Sequence, residues 1–153
     1  RVDGPVALVE AFDRALIAIH RTCDAAKRGS ELRGALEQFA ASTGVFGPLF
    51  SGAGPQRDGA LSPERIARNL AAVAAGAVDE PDTWLVQQLF EYAGFALFHA
   101  GSLLSRAEET ALSARVAVML RPLRQHSEAA PPPSLRAPSN APASQRRDHM
   151  EKR

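Results

Sequence analysis

Residues 79–101 read DEPDTWLVQQLFEYAGFALFHAG, and this stretch decides the fold class. Asp79, Glu80 and Asp82 surround Pro81, which places acids and a proline at a helix start. Gly101 punctuates its end. Turning about 100° per residue, Leu85, Val86, Leu89, Phe90, Ala93, Ala96 and Leu97 fall on one broad face. The other side repeats at steps of four, three, four and three: Trp84, Gln88, Glu91, Phe95 and Phe98, flanked by Gln87 and His99. A strand would alternate with period two, and this segment does not. A helix apolar on both sides is either surrounded by its own domain or covered by another molecule.

Outward from that helix the same signals recur. Before it, Ser62-Pro63-Glu64 supplies a cap, a first-turn proline and an acid, followed by Ile66, Leu70, Val73 and Ala77 on one face. After it, Ser105 and Glu108 form a capping box, in which each side chain takes the other residue's free amide. Leu112, Val116, Met119 and Leu123 follow, with Pro122 weakening the last turn. At the start, Leu8, Phe12, Leu16, Ile19 and Cys23 make an apolar stripe from about residue 5 to 27, with Gly29 as its stop. Ser30 caps a second helix carrying Leu32, Leu36 and Phe39, which Gly44 ends. Short connections at 28–30, 77–81 and 101–105 predict antiparallel neighbours. The expected architecture is all-α: a compact bundle of about five antiparallel helices over residues 1–124.

The connection at 44–61 is long for such a bundle. Its Val45, Phe46, Leu49 and Phe50 predict a short helical turn that plugs one end. Residues 52–59 then form a mobile surface excursion, with Asp58-Gly59 as a turn. Ser51-Gly52-Ala53-Gly54 has glycines in the manner of a phosphate cradle, but the loop has no lysine and opens no helix directly. Residues 125–153 are different material. Five of the 11 prolines lie there, and no apolar periodicity survives, which predicts a disordered Pro-rich tail or linker.

Composition sets further bounds. The chain has 153 residues, 45% hydrophobic and 23% charged, enough for one domain with a real core. A net charge of +1 provides no strong field for nucleic acid or anionic membrane. No run of 18 apolar residues predicts a membrane span. One cysteine excludes an internal disulfide. Abundant alanine, and lysine only at 27 and 152 against many arginines, point to a GC-rich bacterial source. The start at Arg1 reads as a segment of something longer, and the default location is the cytoplasm.

Candidate chemistry is sparse. His20 and Cys23, with Asp24, sit at helical spacing and supply an incomplete zinc set, since no second cluster adds ligands. Metal binding through His20 and Cys23 is therefore a third reading, with no metal or cofactor expected. His99 is the acceptor in an alternative reading as a histidine phosphotransfer module. Small residues Ala100, Gly101 and Ser102 follow it, without the lysine such modules carry. Residues 62–70 resemble the first helix of a helix-turn-helix, but residues 81–100 carry no Lys or Arg to present to a groove, so no specific nucleic acid is expected. Acids gather at helix starts rather than in catalytic pairs. The leading expectation is a non-enzymatic interaction or oligomerisation module of a bacterial regulatory or scaffold protein. A protein partner or a second copy would bind around Trp84, Gln88, Glu91, Phe95 and Phe98.

Overall fold

The computed structural model describes residues 4–42, 46–76 and 78–128. It is all-helical among the described residues, with α1 (Gly4–Ala25), α2 (Gly29–Ser42), α3 (Phe46–Phe50), α4 (Pro63–Ala74), α5 (Pro81–Leu103) and α6 (Arg106–Glu128). Five are long helices. The sixth, α3, is the predicted plug, and its Leu49 and Phe50 are buried against the core between α2 and α4.

Local chemistry places most boundaries. The Ser62 hydroxyl accepts the Arg65 amide at 3.2 Å, and Pro63 opens α4. Glu108 accepts the Ser105 amide at 2.9 Å while Ser105 accepts the Glu108 amide at 3.1 Å, which completes the capping box. Several boundaries differ from expectation: α5 runs through Gly101 to Leu103, and Ser30 lies inside α2 rather than capping it. Gly29 begins α2 rather than ending α1, because α1 stops earlier in a Schellman turn. There the Arg28 amide bonds to the Cys23 carbonyl and the Lys27 amide to the Asp24 carbonyl, both at 2.8 Å. Lys27 takes the left-handed position of that turn, with φ 65°. At the other end, α6 continues through Pro122 to Glu128, so the expected tail begins later than 125. Residues 129–153 lie outside the described residues, as do Gly44, Val45 and Ala77.

The more deeply buried helix is α1 rather than α5. It packs against α2, α4, α5 and α6, and buries Leu8, Phe12, Leu16 and Ile19 almost completely. Phe12 meets Phe90 of α5 edge to face, with ring centroids 4.9 Å apart. α5 lies across α1 between α2 and α6. Its inner face is Leu85, Val86, Leu89, Tyr92, Ala93, Ala96 and Ala100, close to the expected one. Tyr92 joins the core in place of Phe90 and Leu97, which are half-buried on the α6 side.

Residues 51–62 are not a surface excursion. Ala53, Pro55, Gly59, Ala60 and Leu61 are buried, and the segment is pinned against three helices. Asp13 of α1 takes the Leu61 amide at 2.8 Å. Arg33 of α2 donates to the Arg57 carbonyl at 3.0 Å. From α4, Arg65 donates to the Ser51 carbonyl at 3.1 Å, and Asn69 donates to the carbonyls of Leu49 and Ser51 at 2.8 and 2.9 Å. The expected Asp58-Gly59 turn is present. The Asp58 carboxylate takes the Ala60 amide at 3.0 Å, which is why an Asx residue suits it.

Candidate functional site

Position around α5 separates the five predicted binding residues. Trp84, Gln88 and Phe95 are half-buried, and Phe95 leans toward α2. Glu91 and Phe98, seven residues apart, point outward and are exposed. The Phe98 side chain is 78% exposed. Among the described side chains, Phe98 and Val118 are the large apolar ones left in water.

Beside Phe98 the surface falls into an open groove of about 670 Å³ between α2 and α5. Its floor is a ring stack. Phe39 of α2 lies flat on Phe95, centroids 4.2 Å apart and planes 13° apart. His99 continues the stack on Phe95 at 5.9 Å. Ala35 and Ala41 form the walls, and Gln38 gives the groove a polar edge. Small side chains on α2 leave the rings uncovered. α5 itself carries no Lys or Arg, so nothing basic on that helix shields the apolar surface. On the other flank of α5, a smaller depression of about 150 Å³ runs along α6 beside Gly94 and Ala117. The Arg124 guanidinium lies over the Phe90 ring there, 4.9 Å from its centroid.

His99 therefore belongs to the groove. Its ring is half-buried against Phe95, and the residues lining the groove with it include no lysine or arginine to hold a phosphoryl group. Its backbone carbonyl accepts the Ser102 hydroxyl at 2.6 Å.

His20 and Cys23 are both fully buried, while Asp24 is exposed. Burial first, and then the Asp24 charge, push the Cys23 thiol up to about 11, so it is a neutral core side chain. The His20 Nδ1 donates to the Leu16 carbonyl at 3.1 Å, which leaves Nε2 as a buried lone pair without a hydrogen-bond partner. Among the described residues, no group of three or more His, Cys, Asp or Glu side chains is placed to hold a metal ion. No helix among them is long and apolar enough to cross a membrane.

A second polar feature escaped the pattern of the sequence. Asp13 is buried on α1 beneath residues 58–61. Burial raises its carboxyl to about 7; the Leu61 amide pulls it down, and the Asp58 and Glu10 charges push it up. Burial lowers the His20 imidazole below its usual value. The readable signal was spacing alone, since residues 13 and 20 are seven apart and share a helix face.

Comparison with protein-family models, with curated proteins and with solved structures found no match to the chain.

Proposed function

We propose that this chain is a non-enzymatic helical interaction module that docks an apolar helix face on the outer side of α5. The observation that carries this reading is Phe98, 78% exposed beside the open Phe39–Phe95–His99 stack. A side chain of that size in water gains about 2 kcal/mol when a partner covers it. Aromatic anchors with polar residues at the edge, here Gln38 and Glu91, have the composition of an interface centre. A second copy of the chain is the first partner to test, because an exposed face on a rigid helix is readily self-complementary about a two-fold axis. The abundance of alanine and arginine supports a bacterial source, composition and helical architecture together support a regulatory or scaffold protein, and the cytoplasm is the default setting.

The test is solution mass by light scattering over a wide concentration range, for the wild type and Phe98→Asp. The expected result is a concentration-dependent dimer that Phe98→Asp converts to a folded monomer. A wild type that stays monomeric throughout, with Phe98 ring resonances independent of concentration, overturns self-docking and leaves the groove to a different protein.

A further inference from the structure

Residues 53–62 close over two ionisable side chains that form no ion pair among the described residues. Asp13 and His20 lie on one face of α1, one near each end of the covered stretch. The Asp13 carboxyl accepts the Leu61 amide at 2.8 Å. The charges acting on it are Glu10 on α1 and Asp58 on the loop, both of its own sign, with the neutral Tyr92 hydroxyl on α5 also near enough to sense it. An anion at Asp13 would thus be buried with one backbone donor and two repelling carboxylates.

His20 has the opposite problem. Gly59, at φ +93°, sets its backbone against the imidazole so closely that a Cβ there would overlap the ring. Nδ1 is used by the Leu16 carbonyl, and Nε2 is buried without a partner. A second proton would place an N–H donor at Nε2 with no acceptor to receive it. Arg33 from α2 opposes that charge, while Asp24 from α1 and Asp58 from the loop favour it without contacting Nε2. Burial dominates, and the neutral ring is the form that fits.

Were the loop lifted so that water reached them, both groups would regain ordinary behaviour. A free carboxyl titrates near 3.8 and a free imidazole near 6.5. Between those values the open form holds a carboxylate and an imidazolium. The closed form favours the carboxylic acid and the neutral imidazole. On closure Asp13 takes up a proton and His20 gives one up, so the two exchanges with solvent oppose each other.

We propose that Asp13 and His20 are an opposed proton pair: closing the 53–62 loop over the buried pair protonates the first and deprotonates the second, so each group counters the pH dependence that the other gives the closure. The signs follow from linkage. A raised carboxyl strengthens closure as pH falls from about 7 toward 3.8. A lowered imidazole weakens closure as pH falls below 6.5. Each slope is at most about tenfold in the closure equilibrium per pH unit, and below 6.5 the two oppose.

The experiment follows Leu61 amide hydrogen exchange and denaturant unfolding at about pH 4.5, 5.5 and 6.5, in the full chain, for wild type, Asp13→Asn and His20→Gln. Relative to wild type, Asp13→Asn removes the carboxyl slope, and closure gains up to about tenfold per unit as pH rises. His20→Gln removes the imidazole slope, and closure loses up to about tenfold per unit as pH rises. A double variant, Asp13→Asn with His20→Gln, loses both slopes. Single variants that share the wild-type profile overturn the pairing. Should either variant fail to fold, direct titration of wild type decides. The Asp13 side-chain carbon should shift with a midpoint near 7, and the His20 ring nitrogens below 6.5. An ordinary midpoint for either group overturns the proposal.

Discussion

Lys27 holds a backbone conformation that an L side chain resists. At φ 65° it occupies the left-handed position of the Schellman turn after α1, where glycine has no Cβ to crowd the following carbonyl. Its side chain is exposed, so nothing it packs against offsets the strain. Lys27→Gly is expected to stabilise the fold by about 1 kcal/mol. Scanning calorimetry should show the melting temperature rising by about 3 °C. An unchanged or lower value would mean that the lysine makes a compensating interaction. The same residue scale explains what was hard to read at Asp13 and His20. Each looks like a boundary residue on its own helix, because its surroundings come from a loop about two helices later in the chain. Leu61 is 48 positions from Asp13, and no local periodicity encodes that approach.

At the scale of elements, capping chemistry was legible because it is local. Ser62-Pro63-Glu64 and the Ser105–Glu108 box satisfy backbone donors within one turn, and both operate as read. α4 tests the strength of this. It is only 12 residues long, too short to be stable on propensity alone, and it holds the loop through Arg65 and Asn69. Ser62→Ala removes the acceptor for the Arg65 amide and should cost about 1 kcal/mol. Urea titration should show a lower midpoint with an unchanged slope. Amide exchange should quicken in residues 51–62 before it quickens in α1, since α4 pins that segment. Uniform quickening would instead mean that α4 and the loop unfold only with the whole domain. Harder to read was the division of α5 into an inner face, a groove wall and an exposed ridge. Trp84, Phe95 and Phe98 form one stripe in sequence, yet a lean of a few tens of degrees puts Phe95 on Phe39 and Phe98 in water. The neighbour α2 decides that lean, and it is fixed by tertiary packing.

For the whole molecule, the issue is which helix everything else is built around. Apolar content favours α5, whose 23 residues include five aromatics. The structure favours α1, which carries Asp13, His20 and Cys23 among its buried residues. Periodicity measures how much of a helix is apolar, whereas burial depends on how fully its neighbours close over it. α1 and α5 each meet four helices, but those around α1 bury 11 of its 22 residues against seven of 23 on α5, and they seal even its polar positions. Two phenylalanines turn this difference into a measurement. Phe12 is completely buried and meets Phe90 at the junction of α1 and α5, so Phe12→Ala leaves a cavity that several helices line. Its expected cost is about 4 kcal/mol, a large share of the stability of a domain this size. Phe98 is nearly as exposed as in an unfolded chain, so Phe98→Ser should change stability by less than about 0.5 kcal/mol. Denaturant unfolding at dilute protein checks both. If Phe98→Ser proved as costly as Phe12→Ala, Phe98 would be a core residue of an assembly that persists at those concentrations. If it proved neutral, this ring contributes nothing to the isolated fold, as its exposure predicts, and the proposed docking face can be altered there without disturbing the domain.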